Sequence, residues 1–203
     1  MNKGAHNHAS MKTPTVFVIS APSGAGKTSL ARALVQSRDD TALAVSHTTR
    51  PMRPGEKEGL DYFFVDRQQF KIMVDGNRFL EYAQVFDNFY GTSVDAVESL
   101  LAAGKNVLLD IDWQGARVVR EKFPGACSIF VLPPSLDALE TRLQGRGQDS
   151  GEVIARRMRE AQNEMSHSGE YLHRIVNDDF DQALAELDAL VSGKALPAAK
   201  IPV

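Results

Sequence analysis

Short apolar runs and amphipathic stretches alternate along most of this chain. A continuous apolar run of four to seven residues is typical of a strand that is buried on both faces of a parallel sheet. Such runs predict strands at 16–19, 42–45, 106–112 and 127–132, and the apolar pair at 175–176 predicts a last short strand. Apolar residues at helical spacing predict helices from about Lys27 onward and at 94–103, 113–123, 135–143, 151–165 and 180–191. This alternation predicts an α/β fold with a parallel sheet, flanking helices and right-handed crossovers.

One region departs from this rhythm, because arginine, proline, glycine and charged residues dominate from position 47 to 59. Strand-like runs follow at 62–65 and 79–86, with a helical stretch at 67–74 between them. We therefore expect a small β-rich insertion at 46–93. The rest divides into a core (14–45, 94–134 and 169–192), a helical lid (135–168), a disordered N-terminal tail (1–13) and a C-terminal tail (193–203).

Composition excludes several classes of protein. The 203 residues are 43% hydrophobic and 24% charged with a net charge of −3, which is ordinary for a globular domain and offers no overall basic field for nucleic acid. The single cysteine, Cys127, excludes an internal disulfide and lies in an apolar run, so we expect an inert buried thiol. No stretch approaches the about 18 apolar residues of a membrane span, and the polar N-terminus does not resemble a signal peptide, so we expect a cytoplasmic protein. The oligomeric state cannot be predicted.

The strongest local motif lies between the first predicted strand and the first predicted helix. It is Ala21-Pro22-Ser23-Gly24-Ala25-Gly26-Lys27-Thr28. This is the phosphate-binding loop (P-loop) pattern with alanine in place of the first glycine, a harmless change if that position needs no positive φ. Gly24 and Gly26 would let backbone N–H groups turn toward phosphate oxygens, where a side chain would collide.

The last two residues of this motif have side chains that could bind a triphosphate and its metal ion. Lys27 would reach the β- and γ-phosphates, and Thr28 would offer its hydroxyl to Mg²⁺. The helix that follows adds the positive end of its dipole. The motif therefore predicts a nucleoside-triphosphate site, with Mg²⁺ as the cofactor, but does not say which reaction follows.

A second anion site is predicted in the insertion. Arg50 and Arg53 lie three residues apart in a proline-rich segment that cannot form an ordinary helix. Arginine forks suit a phosphate monoester, and the hydroxyls of Tyr62 and Tyr90 could complete the site if the insertion folds them inward. Taken alone, this segment is more typical of a solvent-exposed basic loop than of a phosphate site.

Several motifs together resemble the signature of the guanylate kinase family. They are Ser-His-Thr-Thr-Arg-Pro-x-Arg-Pro-Gly-Glu, Gly-x-Asp-Tyr-Phe-Phe-Val, Phe-Leu-Glu-Tyr-Ala, Tyr-Gly-Thr, Leu-Asp-Ile-Asp-Trp-Gln-Gly, Leu-Pro-Pro-Ser, Arg-Leu-x-Gly-Arg-Gly and Ile-Val-Asn-Asp-Asp, in that order. The resemblance extends over about 14–190. It implies a P-loop kinase that transfers the terminal phosphoryl group of ATP to GMP, and by extension dGMP.

The same resemblance assigns residues to the acceptor site. The GMP phosphate would be held by Arg50, Arg53, Tyr62 and Tyr90, and guanine would be read by Ser46, Glu81, Thr92 and Asp112. A carboxylate such as Glu81 suits guanine, whose N1–H and exocyclic amine are both donors, whereas adenine lacks that pair. From its position alone, Glu81 could equally lie on the charged face of an edge strand.

The predicted lid carries several arginines around the segment 145–150. By resemblance, Arg142, Arg146 and Arg157 would reach the transferring phosphate when the lid closes, while Arg156 and Arg159 are more typical of salt bridges within the helical pair. Asn177 resembles the family's adenine contact, although asparagine is also common in turns before helices. Asp110 and Asp112 end a predicted central strand beside the P-loop, a natural place for a metal-water contact or a base contact. We expect Asp112 to face the acceptor, while Asp110 could equally be a structural carboxylate.

Two rival functions remain at this point. One is another P-loop enzyme, although no Asn-Lys-x-Asp motif of a GTPase follows the P-loop. The other is a kinase-like scaffold domain that binds protein partners and has lost catalysis. The presence of Lys27, Thr28, Arg146 and Arg157 argues against the second.

Overall fold

A five-stranded parallel sheet forms the centre of the molecule in the computed structural model, which describes residues 13–145 and 151–194. Its strand order is β2-β7-β1-β8-β9. The strands are β1 (Val16–Ser20), β2 (Thr41–Leu43), β7 (Asn106–Asp110), β8 (Cys127–Leu132) and β9 (His173–Val176). Each pair is parallel, and Ile19 of β1 lies opposite Asp110 of β7. The carboxyl ends of β1 and β7 therefore meet at one edge, where ligands bind in open α/β sheets.

Helices cover both faces of this sheet. They are α1 (Lys27–Ser37), α3 (Val94–Ala102), α4 (Trp113–Lys122), α5 (Leu136–Gly145), α6 (Gly151–Ser166) and α7 (Phe180–Val191). One core cluster joins Leu30 and Leu34 of α1 to Leu187 of α7. A second, on the other face, joins Val97 of α3 to Val119 of α4. Among the described residues, no helix combines the length and the apolar character that a bilayer span requires.

A second, smaller sheet lies between β2 and β7 along the chain. Its strands are β3 (His47–Thr48), β4 (Phe63–Phe64), β5 (Phe79–Val85) and β6 (Asn88–Ser93), in the order β4-β3-β6-β5, and α2 (Arg67–Asp75) connects β4 to β5. Asp66 caps α2 in a capping box with Gln69. Aromatic rings from α2 and this sheet, including Phe70, Phe79 and Phe89, stack in its interior.

The predicted α/β class with a parallel sheet and flanking helices is confirmed, and most predicted elements fall within one or two residues of those observed. The exception that matters for the site is the run 106–112, because the strand ends at Asp110 and Asp112 is instead the N-cap of α4. Both predicted tails (1–13 and 193–203) lie almost entirely outside the described residues, as does Arg146.

Candidate active site

A cleft of about 810 Å³ lies between the carboxyl edge of the parallel sheet and the small sheet. It brings together most of the predicted site residues. From the P-loop it is lined by Ala21, Pro22, Ser23, Gly24, Gly26, Lys27 and Thr28, from the insertion by Ser46, Arg50, Arg53, Tyr62, Glu81 and Tyr90, and from elsewhere by Asp112 and Arg157. Ala25, Thr92, Arg142 and Asn177 are not among the lining residues.

The P-loop has the backbone conformation that its sequence predicts. Gly24 and Gly26 have φ of 97° and 94°, values that favour glycine. Ala21, which replaces the first glycine, is not among the described non-glycine residues with positive φ, so the substitution is tolerated. Gly26 is also the N-cap of α1 and provides no side-chain hydrogen bond to it. The first-turn N–H groups of α1 are therefore open to an anion.

Lys27 and Thr28 both contact Asp110 at the end of β7. The Nζ of Lys27 lies 2.5 Å from Asp110 Oδ1, and the hydroxyl of Thr28 donates to Asp110 Oδ2 at 2.8 Å. Burial alone would lower the pKa of Lys27, but the Asp110 carboxylate outweighs burial and raises it, so the ammonium group is held charged. Asp110 thus contacts both P-loop side chains, and its carboxylate is an electrostatic partner of the P-loop.

One carboxylate organises the predicted acceptor-phosphate end of the cleft. Glu56 Oε1 accepts from Arg50 Nη2 at 2.7 Å, and Glu56 Oε2 accepts from the backbone N–H of Arg53 at 2.8 Å. The guanidinium of Arg50 lies 5.5 Å from the centre of the Tyr62 ring, and Tyr62 and Tyr90 lie 5.9 Å apart. The four predicted phosphate ligands thus belong to one region, and the fixed Arg50 fork is unlike a mobile surface arginine.

The predicted base-reading end is buried. Glu81 is only 3% exposed, and its Oε1 accepts from the backbone N–H of Thr92 at 2.9 Å. The hydroxyls of Ser46 and Thr92 lie 2.9 Å apart and share a hydrogen bond. Burial raises the pKa of Glu81 to about 7, although the Thr92 hydrogen bond opposes the change. The alternative that Glu81 lies on a solvated strand face is therefore wrong.

Asp112 has a structural task in addition to its place in the cleft. Its Oδ1 accepts from the backbone N–H of Gly115 at 2.9 Å, and its Oδ2 accepts from the Gln114 side chain at 3.0 Å. A carboxylate at this position caps α4 and complements the positive end of its dipole. Any contact of Asp112 with guanine would have to come from lone pairs that the cap leaves free.

The two helices predicted to form the lid, α5 and α6, place their arginines differently from one another. Arg157 of α6 lines the cleft, whereas Arg142 of α5 donates to the backbone carbonyl of Asn177 at 2.8 Å. Arg156 was predicted to pair within the helical lid, and this is wrong. Its guanidinium instead lies 4.9 Å from the Phe86 ring and 3.7 Å from Asp87 Oδ2, both in the β5–β6 turn. Arg156 thus joins α6 to the insertion across the mouth of the cleft.

Asn177 lies beneath the P-loop and is 5% exposed. Its side-chain amide donates to the carbonyl of Ala25 at 2.7 Å. A Cβ added to Gly26 would come within 2.3 Å of the same amide nitrogen. These contacts support the P-loop from below, and the predicted contact with adenine stays a prediction.

Three further cleft residues were not predicted from the sequence. Glu164 of α6 lines the cleft beside the P-loop, and burial raises its pKa to about 7. Arg32 of α1 donates to Asp61 of the insertion, which connects the two halves of the cleft. Asp61 belongs to the Gly-x-Asp-Tyr-Phe-Phe-Val motif, but no pattern in the sequence assigns a role to Glu164, Arg32 or Asp61, so only their position in the fold reveals them.

Comparison with known proteins shows which P-loop family this chain belongs to. The family model described as guanylate kinase matches residues 13–194. The chain belongs to the guanylate kinase family. Its place there is supported by 58% identity over 176 residues to the guanylate kinase of Alkalilimnicola ehrlichii, covering 87% of each chain. The guanylate kinase of Escherichia coli K12 is 55% identical over 188 residues, covering 92% of this chain and 91% of that relative.

A solved structure agrees with this assignment. The crystal structure of guanylate kinase from Anaplasma phagocytophilum superposes with a TM-score of 0.75 at 33% identity, covering 89% of this chain and 86% of that one. Membership of the guanylate kinase family makes this chain a nucleotide-binding phosphotransferase of the nucleoside monophosphate kinase class. The expected P-loop kinase fold is therefore confirmed.

Proposed function

We propose that this chain transfers the terminal phosphoryl group of ATP to GMP, giving ADP and GDP, and that it also accepts dGMP. The observation that carries the proposal is that one cleft holds a P-loop, an arginine–tyrosine cluster and a buried carboxylate. The first suits a triphosphate, the second a phosphate monoester and the third the donor edge of guanine. The insertion (46–93) would then be the GMP-binding unit and 135–168 the lid.

On the donor side, the P-loop would hold the phosphates of ATP. Backbone N–H groups of the loop and of the first turn of α1 bind the β- and γ-phosphate oxygens, and Lys27 neutralises the charge that develops on the transferring group. For that contact the Nζ of Lys27 turns from Asp110 toward the phosphates. Asn177 keeps the loop in its binding conformation through Ala25 and could contact adenine at its outer side.

On the acceptor side, Arg50, Arg53, Tyr62 and Tyr90 would bind the phosphate of GMP. Glu81, Ser46, Thr92 and Asp112 would read guanine, with Glu81 accepting from N1–H and the exocyclic amine. AMP would leave the Glu81 carboxylate desolvated without donors, so it would be rejected by the cost of an unpaired buried group. An oxygen of the GMP phosphate then attacks the γ-phosphorus in line, and the bond to the bridging oxygen of ADP breaks.

The donor set beside the P-loop fits Mg²⁺. The Thr28 hydroxyl and the Asp110 carboxylate are hard oxygen donors 2.8 Å apart, and Mg²⁺ in kinases is held by one or two such groups together with substrate phosphates and water. Bound Mg²⁺ would supply charge neutralisation to the β- and γ-phosphates. Thr28 would hold it directly, and Asp110 would orient its water ligands.

The lid would complete the charge around the transferring group. Arg157 already lines the cleft, and we expect Arg142 and Arg146 to approach the phosphates on closure. Phosphoryl transfer depends on positioning and charge neutralisation more than on a general base. A closed lid also excludes water and so limits ATP hydrolysis.

A coupled assay of ADP release with ATP and each of GMP, dGMP, AMP, UMP and CMP tests the proposal. We expect GMP and dGMP to be phosphorylated and the other three to be at least about a hundredfold poorer in kcat/KM, a ratio within reach of unpaired-group discrimination. Comparable turnover of AMP would contradict the guanine assignment. The expectation of a cytoplasmic location stays a prediction.

A further inference from the structure

The third residue of α4 is a glycine in direct contact with the buried carboxylate of Glu81. The backbone N–H of Gly115 donates to Asp112 Oδ1 at 2.9 Å. An ideal Cβ built on Gly115 would lie 2.3 Å from Glu81 Oε2 and 3.0 Å from Glu81 Cδ. A contact of 2.3 Å is far shorter than any that carbon and oxygen atoms tolerate, so only glycine leaves room for this carboxylate.

The Glu81 carboxylate is held from two opposite sides. On its own sheet, the backbone N–H of Thr92 donates to Oε1 at 2.9 Å. On the other side, Oε2 occupies the space that a Cβ on Gly115 would need, at the amino end of α4. Burial raises the pKa of Glu81 to about 7, the Thr92 hydrogen bond opposes the change, and the nearby Asp112 carboxylate adds to it.

The presence of glycine in this helix calls for a reason. Glycine is less favourable than alanine inside a helix because its backbone loses more freedom on folding. Gly115 does not have positive φ, so the backbone conformation itself does not require glycine. The close approach of Glu81 is the remaining explanation.

We propose that Gly115 is a specificity-determining positioning residue, which sets the place of the Glu81 carboxylate at the donor edge of guanine. This inference rests on the proposed function, because it assumes that Glu81 reads the base. Gly115 is not among the residues that line the cleft, and it acts only through the position of Glu81. Through Asp112, which caps the same helix turn, it also links both carboxylates of the base-reading end.

An alanine at 115 would disturb recognition more than folding. The clashing atom, Oε2, is the far end of a flexible side chain, so Glu81 can rotate away by changing its χ angles. The rotated carboxylate would no longer lie in the plane of guanine, so it could not accept hydrogen bonds from both the N1–H and the exocyclic amine. Alanine also has a higher helix propensity than glycine, so the substitution itself does not destabilise α4. The cost therefore falls on GMP binding.

The test compares Gly115→Ala with the wild-type protein and with Gly169→Ala. Gly169 lies in a short 3₁₀ helix (His167–Glu170), and a Cβ there meets nothing within 4 Å. Steady-state assays give KM for GMP and ATP, and the ratio of kcat/KM for GMP to that for IMP, which lacks the exocyclic amine. We expect Gly115→Ala to raise the KM for GMP about tenfold or more and to lower the GMP:IMP ratio by a similar factor. The KM for ATP and the Tm should match those of the wild type and of Gly169→Ala.

A double-mutant cycle with Glu81→Ala separates a contact with Glu81 from a general effect on α4. If Gly115 acts through Glu81, adding Gly115→Ala to Glu81→Ala changes kcat/KM for GMP by less than about twofold. An equal loss in both backgrounds would overturn the inference, as would an unchanged GMP:IMP ratio in the single variant. If Gly115→Ala alone fails to fold, recovery of the Tm in the double variant supports the clash and failure to recover overturns it.

The two proposals fail in different ways. A wild-type protein that turns over AMP as well as GMP would contradict the proposed function. A GMP-selective wild type whose selectivity survives Gly115→Ala would contradict only the role of Gly115.

Discussion

The Nζ of Lys27 and the Oδ1 of Asp110 form an ion pair of 2.5 Å that connects the P-loop to the end of β7. The two residues are 83 positions apart in sequence and meet because β1 and β7 are adjacent parallel strands in register. Asp110 also accepts from Thr28. The same carboxylate thus orients both P-loop side chains that the proposed function assigns to phosphate and metal.

Removal of the Lys27 ammonium should impair catalysis more than acceptor binding. For Lys27→Ala we expect kcat to fall by about 10²-fold or more, because one preorganised charge at the transition state typically contributes that much. The dissociation constant of GMP, measured by calorimetry, should change by less than about threefold since the acceptor site lies on the insertion. Lys71→Ala, at an exposed lysine of α2 that pairs with Asp75, is the matched control. Unchanged turnover in Lys27→Ala would refute the assigned role.

Glu81→Gln should damage discrimination between bases. The substitution keeps the size of the side chain but turns one acceptor toward guanine into a donor that faces a donor. We expect kcat/KM for GMP to fall about 10- to 10³-fold while the KM for ATP changes little, because the loss is that of a charged hydrogen bond left unsatisfied. The assay is run with GMP, IMP and AMP in parallel. Retained preference for GMP would mean that another group reads the base.

The affinity for GMP should depend on pH near neutrality. Burial raises the pKa of Glu81 from 4.5 to about 7, and guanine needs the ionised carboxylate because both of its edge groups are donors. Binding therefore weakens as the pH falls through 7, and the KM for GMP should rise roughly tenfold per pH unit well below that value. The phosphate of GMP itself titrates near pH ~6. Glu81→Gln is the control. Its KM for GMP should still change with the titration of the GMP phosphate, but the change near pH ~7 that Glu81 causes should be absent.

Glu56 should support GMP binding without touching the nucleotide. It holds the Arg50 fork and the Arg53 backbone through two hydrogen bonds of 2.7 and 2.8 Å. In Glu56→Ala the arginine segment loses this order, and we expect the KM for GMP to rise about fivefold or more with a smaller effect on kcat, as for a loss of charge-assisted positioning. Glu98→Ala, on the exposed face of α3, serves as the control. An unaltered KM would show that the arginines position themselves.

Substitution of Asn177 can distinguish two roles of this residue, support of the P-loop and contact with adenine. Its amide satisfies the carbonyl of Ala25, which is fully buried, and an unpaired buried carbonyl costs about 1–3 kcal/mol. For Asn177→Ala we expect a lower Tm and a raised KM for ATP and for GTP as donor alike. If the KM for ATP rises while that for GTP does not, Asn177 contacts adenine in addition to the loop. A variant with wild-type Tm and donor kinetics would contradict both roles.

Local patterns in the chain were sufficient for much of the fold. Continuous apolar runs predicted β1 and β8, and helical spacing predicted α7 with its observed bounds at Phe180 and Val191. These elements are encoded locally because burial on both faces, or on one helical face, imposes a period on the sequence. The strand end at Asp110 was placed two residues too late, since Asp112 follows the same apolar run but serves as a cap for the next helix. The sequence does not distinguish an aspartate that ends a strand from one that caps the next helix when a single residue separates the two.

The sequence by itself determined the chemistry that is carried by contiguous residues. The P-loop is such a case, because its glycines, lysine and threonine act through backbone geometry within eight positions. Family motifs extended this to a phosphotransferase with a likeness to guanylate kinases, and to the residues assigned to GMP. None of these patterns reports whether Glu81 is solvated or buried, and none indicates what Glu56, Glu164 or Arg32 does.

Only the tertiary structure decided how the carboxylates divide their tasks. Asp110 pairs with Lys27 because two distant strands are adjacent in the sheet, and Glu81 is desolvated because the insertion packs its β5 strand against α4. Gly115 became significant for the same reason, since the need for a missing side chain is visible only when Glu81 lies against it. Charge, burial and close approach depend on neighbours far apart in sequence, and those neighbours are a property of the fold.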